Sequence, residues 1–146
     1  MPITYQVDAT LGIVVARWCG PIPINEVVDY WTALAADKEA LACGRAIADL
    51  RECELRFTGE ELRLMAKQIL EPALRGRNWK GAIVVKEPLQ YGVSRQYGVY
   101  SEAFSNVNVF YSDVLARKWV LEAEPHANGL ERRSARQGPS SPPVEK

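Results

Sequence analysis

The side chains of this chain that could do chemistry are few and scattered. Its single histidine is His126, so a catalytic triad, a histidine metal site or histidine acid–base work each lack their usual participant. The three cysteines, Cys19, Cys43 and Cys53, are odd in number and have no CxxC spacing. They read as reduced thiols of a cytoplasmic protein. No GxGxxG or phosphate-loop spacing occurs, and Gly12, Gly20 and Gly92 stand alone. No catalytic, cofactor-binding or metal-ligating set assembles, so a non-enzymatic protein is expected.

Four places remain where suitable side chains fall together. Thr58-Gly59-Glu60-Glu61 has the spacing of a capping box, in which Thr58 and Glu61 each satisfy an amide at a helix start. The same position makes Thr58 a candidate phosphoacceptor, because a helix N-terminus favours an added anion, although Glu60 and Glu61 would repel it. Asp49 and Arg51 close a predicted strand, at the edge where open α/β sheets gather ligands. They are a candidate surface for a partner or ligand, against the plainer reading of a carboxylate tying down the next loop. Tyr91 and Arg95 stand four apart on a predicted helix, with Glu102 seven beyond Arg95. Arg95 could grip an acidic partner group with Tyr91 stacked beside it, or the two could be a helix-surface pair. Finally, Arg75-Gly76-Arg77-Asn78-Trp79-Lys80 reads as a solvated basic loop or a binding loop, while Trp18, Trp31, Trp79 and Trp119 read mainly as core.

The elements that must carry these residues follow from apolar spacing. Thr4–Val7 and Ile13–Trp18 form a hairpin around Asp8–Gly12, with Gly20-Pro21-Ile22-Pro23 breaking the second strand. Val27, Val28, Trp31, Leu34 and Ala35 mark a helix from about Asn25, stopped near Gly44. Ala46–Leu50 is a buried strand, and the helix opening at Thr58 buries Leu62, Met65, Ala66, Ile69 and Leu70 before Pro72. A strand over 80–85 precedes a third helix with Leu89, Val93, Tyr97, Tyr100 and Phe104 on its apolar face. Val107–Tyr111 is the last strand, and Asp113 caps a final helix. The predicted order is ββαβαβαβα: an α/β fold with a mixed five-stranded sheet and four helices.

One domain over 1–125 accounts for this pattern. Residues 126–146 hold Gly, Pro, Ser and charge with almost no large apolar side chain, so a disordered tail is expected. Lysine plus arginine and aspartate plus glutamate number 18 each, so nothing electrostatic favours nucleic acid or an anionic membrane as partner. No apolar run approaches the roughly 20 residues of a spanning helix, and no signal peptide is visible.

Several short stretches then resemble a known group. Ile3-Thr4-Tyr5, Ala16-Arg17-Trp18-Cys19-Gly20-Pro21-Ile22, Ala48-Asp49-Leu50-Arg51 and Tyr91-Gly92-Val93-Ser94-Arg95-Gln96-Tyr97 are similar to the STAS-like, or SpoIIAA-like, small bacterial proteins. The resemblance runs over roughly residues 1 to 122. It implies an anti-anti-sigma-factor-like fold and a regulatory, non-catalytic module that binds a protein partner. In that family a serine in an Asp-Ser-Ser-Gly-Leu pattern at the second helix is phosphorylated to switch the binding off. Here the segment reads Arg56-Phe57-Thr58-Gly59-Glu60-Glu61-Leu62, which keeps a hydroxyl near the position and replaces its neighbours.

Two functions therefore compete. One is a regulatory interaction module using the surface around Thr58 and the third helix, with the open hairpin edge offering a homodimer contact. The other is a carrier for a small apolar ligand or lipid, held between helix and sheet. Leu64 and Val99 hint at the surplus apolar surface a carrier would show. Closed packing between the sheet and the third helix would remove the carrier.

Overall fold

The structure, a computed structural model, describes residues 2–122. The predicted tail and its boundary lie outside the described residues. The hairpin forms as expected: β1 (Ile3–Asp8) and β2 (Ile13–Pro23) are antiparallel, with Ile3 opposite Trp18 and Asp8 opposite Ile13. Its turn is held by Asp8, whose carboxylate accepts from Leu11 N at 3.0 Å, and by Gly12 at φ +70°, a left-handed conformation that glycine adopts without strain.

The segment Gly20–Pro23 does not break the strand, because β2 runs on through it and pairs with β3 (Arg45–Arg56) as far as Pro23 opposite Arg56. The physical reason lies in parity. Cys19 N donates to Pro2 O on the β1 side, and Pro21 and Pro23 share that orientation beyond the end of β1. Their missing amides leave no ladder bond unmade.

A single helix was expected between β2 and β3, and two are found: α1 (Ile24–Ala35) and α2 (Lys38–Cys43). Asp37 divides them by capping α2, its carboxylate accepting from Ala40 N at 3.1 Å, as short polar side chains do when they compete with a continuing helix. Gly44 at φ 70° ends α2. Among the described residues there are thus five helices, not four. Helix α3 spans 59–74, with regular turns over Gly59–Met65 and Glu71–Leu74 flanking a π turn at Ala66–Leu70. β4 (Trp79–Val84), α4 (Pro88–Ser101), β5 (Ser105–Phe110) and α5 (Asp113–Leu121) complete the described residues. The cap of α5 is Ser112, which accepts from Leu115 N at 3.2 Å, and not Asp113, which lies in the first turn and faces Arg117.

Strand order follows sequence order, with β2 to β5 parallel and β1 antiparallel at one edge. This is the mixed five-stranded α/β sheet expected. Helices α1, α3 and α4 cover one face over a core that includes Trp31, Met65 and Leu70. Helix α5 covers the other, placing Ala116 and Val120 against Ile13, Ile47, Ala82 and Val84. Its C-terminal carbonyls are gripped from the sheet: Arg45 donates to Val120 O at 2.8 Å and Lys80 to Glu122 O at 3.2 Å, cations where a helix dipole favours them.

Candidate functional site

The strands that meet beneath α1, α3 and α4 carry small residues on their inner face. Ala46 and Ala48 of β3 and Gly81 of β4 lie where a sheet usually presents branched side chains, and aromatic rings stand around them. Tyr30 meets Trp18 at 5.9 Å and Trp31 at 5.4 Å between ring centres, and Trp31 meets Trp79 at 5.9 Å, each nearly edge to face. Rigid rings over alanine and glycine cannot collapse onto the sheet. A cavity of about 70 Å³ remains, bordered by Leu62 and Met65 of α3 and by Val93, Ser94 and Tyr97 of α4. Ala48 and Gly81 are consequently only partly buried although they sit mid-sheet under helices.

The lining is apolar and carries no charged side chain. Burial raises the phenol of Tyr97 well above its ordinary range, and burial, then Tyr97 and Tyr5, does the same for Tyr30. Both rings stay neutral at any ordinary pH. Two polar atoms of lining residues, Trp18 Nε1 and Ser94 Oγ, are buried without a hydrogen-bond partner.

Helix α4 faces the sheet differently from its apolar spacing. Leu89, expected inside, is 66% exposed, while Gln90, Ser94 and Ser101 are buried. Phe104 is buried but lies past the helix end. Val93, Tyr97 and Tyr100 are half-buried, packed against the core. The phase is set by Gln90. Its side-chain oxygen accepts from Lys86 N at 2.8 Å and Glu87 N at 3.1 Å, and its amide donates to Leu50 O at 2.9 Å and Cys53 O at 3.0 Å. β3 pairs with β4 only as far as Asp49 opposite Val84, so Gln90 serves as the missing neighbour of the strand beyond. Apolar periodicity is blind to such a residue; a glutamine three positions after Glu87 was the available signal, as half of a capping box.

The predicted site residues fall into three separate groups. Asp49 and Arg51 are together: the carboxylate takes Arg51 N and Nε at 3.0 Å and Nη2 at 2.9 Å. The arginine holds the Asp49 carboxyl below its ordinary range. This pair sits where the register slips, Arg17 facing Asp49 but Cys19 facing Glu52, so it closes a β-bulge. Tyr91 and Arg95 also meet, Arg95 Nη1 donating to Tyr91 Oη at 3.2 Å, and Tyr91 stacks on Tyr111 at 5.3 Å. Thr58 caps α3: its hydroxyl accepts from Glu61 N at 3.0 Å, and Thr58 N donates to Glu61 Oε1 at 2.8 Å. None of these residues lines the cavity.

The basic loop is dispersed. Trp79 is core, Lys80 lies over the Trp119 ring at 4.5 Å, Arg77 donates to Ala73 O at 3.1 Å and Arg75 pairs with Glu71. The three cysteines are free thiols. Among the described residues no cluster of three or more candidate ligands could hold a metal ion, and no helix is long and apolar enough to cross a membrane.

An open-edged five-stranded sheet with helices on both faces, and an apolar cavity between it and helices α3 and α4, make up this α/β fold. The chain has a SpoIIAA-like fold. It is similar to the crystal structure of an uncharacterised protein of the DUF3478 family with a SpoIIAA-like fold from Shewanella loihica PV-4, at a TM-score of 0.56 and 15% identity, covering 81% of this chain and 93% of that one. No family model and no curated protein matches the sequence.

Proposed function

We propose that this protein binds a small apolar molecule in the cavity between the sheet and helices α3 and α4, without transforming it. The observation that carries this reading is the cavity itself, walled by aromatic rings over Ala46, Ala48 and Gly81 and free of charge. Space of this kind inside a core forfeits packing contacts and weakens the fold, a cost an occupant would offset. At about 70 Å³ it is roughly five to seven times what a single water needs and about half of the ~150 Å³ that holds benzene. The exposed positions of Leu64 and Val99 contribute nothing to the cavity.

Native mass spectrometry of the full chain with a set of neutral one-ring compounds tests this. One-to-one adducts are expected with the natural sequence and none with Ala48→Leu, which fills the space. Equal adducts with both proteins would place binding elsewhere.

A second reading, a regulatory interaction module acting in the cytoplasm, is favoured by one observation. Leu89, Tyr111, Val114 and Leu115 are all more than half exposed, and the Tyr91–Tyr111 stack joins the starts of α4 and α5 beside Arg95. Such apolar exposure suits a protein partner. Because it lies apart from the cavity lining, Leu115→Ser with Tyr111→Ser leaves ligand adducts unchanged and abolishes partner binding if this reading holds. Phosphorylation of Thr58 is the weaker part of it, since the hydroxyl is engaged as a cap.

A further inference from the structure

We infer that the cavity selects neutral one-ring molecules carrying a hydrogen-bond acceptor, and that Trp18 and Ser94 are the side chains that read this group. The inference rests on the binding reading above and adds the chemical class of the ligand. Trp18 is 8% and Ser94 2% exposed, both line the cavity, and the indole nitrogen and the hydroxyl oxygen are buried with no partner. Buried polar side-chain atoms are nearly always paired, so two orphans on residues lining one apolar cavity require a reason.

Helix α4 supplies its own control. Ser101, buried on the same helix, returns its hydroxyl to Tyr97 O at 2.9 Å, the usual recourse of a helical serine. Ser94 makes no corresponding bond to Gln90 O. Its hydroxyl remains available to an occupant.

The two atoms define the ligand's polar group. An indole N–H only donates, whereas a serine hydroxyl donates or accepts. An acceptor is therefore needed for Trp18, and a carbonyl, hydroxyl or ring nitrogen meets both. Charge is excluded because no lining side chain could balance it. The aromatic walls favour a ring, which gains edge-to-face contacts there. Since the cavity of about 70 Å³ is roughly half the ~150 Å³ that holds benzene, side chains of the wall must give way as the ring enters.

Isothermal titration of the full chain with acetophenone, ethylbenzene and benzoate tests the inference, because the three share a ring and differ in acceptor and charge. The natural sequence is expected to bind acetophenone about fivefold or more tighter than ethylbenzene, as one hydrogen bond gained in a dry site implies, and to ignore benzoate. In Ser94→Ala and in Trp18→Phe the ketone is expected to lose roughly three- to tenfold while ethylbenzene changes less than about twofold. The ligand series on the natural sequence does not depend on either variant folding. Equal affinity for ketone and hydrocarbon would overturn the polar readout and leave cavity binding intact. No binding of either compound would overturn cavity binding and the inference with it. A water that stays on both atoms in a ketone-saturated crystal would also overturn it.

Discussion

Replacing Ala48 by leucine tests whether the space over β3 is real. Ala48 lies on the inner face of the central strand, opposite Ala16 on one side and Ile83 on the other, and lines the cavity. Three added carbons transferred from water into apolar surroundings are worth about 2.4 kcal/mol at ~0.8 kcal/mol per methylene. Ordering a leucine side chain returns ~0.5–1 kcal/mol of that. The cavity of about 70 Å³ accepts three carbons, since a water-sized group needs ~10–15 Å³ by the same measure. A net gain of about 1.5 kcal/mol follows, or roughly 4 °C in Tm for a chain of this size. Urea unfolding followed by tryptophan fluorescence, with calorimetry for Tm, measures it. In a filled core the same change would overpack and cost ~1–3 kcal/mol. A destabilisation of that size would refute the reasoning, because it would mean that the aromatic walls already touch the sheet.

Three further outcomes follow from the same geometry. Gln90→Leu should cost about 2–4 kcal/mol in urea unfolding, since it strands the carbonyls of Leu50 and Cys53 and the amides of Lys86 and Glu87; a loss under about 1 kcal/mol would deny Gln90 its bridging part. Thr58→Ala should cost about 1 kcal/mol, and Thr58→Ser nearly nothing, if the hydroxyl serves as a cap. Burial pushes the Cys53 thiol up to about 12. Folding therefore favours the protonated form, and the stability this contributes is complete below the unfolded thiol value of ~8.5 and fades as pH rises from there towards 12. At pH 8 iodoacetamide should label exposed Cys19 before half-buried Cys53; Cys53 labelling in the native chain as fast as Cys19 would contradict the raised thiol value.

Much of the architecture was legible in sequence because alternation and helical spacing are burial signals, and the sheet faces bury what those patterns mark. Strand β3 was read only to Leu50 because the residues beyond, Arg51 to Arg56, alternate charge with apolar side chains at an edge that Gln90, not a strand, completes. The α1–α2 break hid in Asp37, a single carboxylate whose capping bond has no periodicity. Leu89 was misplaced for a related reason: counting apolar residues sets the phase of a helix only when the inward residues are apolar, and α4 turns Gln90, Ser94 and Ser101 inward. Thr58, Asp49 and Arg51, and Tyr91 and Arg95 were found as local pairs because each bond spans four residues or fewer. The cavity was not, since it arises from alanine and glycine on separate strands facing rings from α1, β2 and β4. A sequence shows small residues, but not that nothing else fills the room they leave.

The central claim, that this cavity receives a ligand, is tested most directly by a crystal structure of the full chain soaked with 4-bromoacetophenone and measured at the bromine absorption edge. The account predicts one anomalous peak between Ala48, Gly81 and the ring of Tyr97, with the ketone oxygen at hydrogen-bond distance from Ser94 Oγ or Trp18 Nε1. Side chains closed over an empty sheet face, with bromine only on the outer surface, would contradict it.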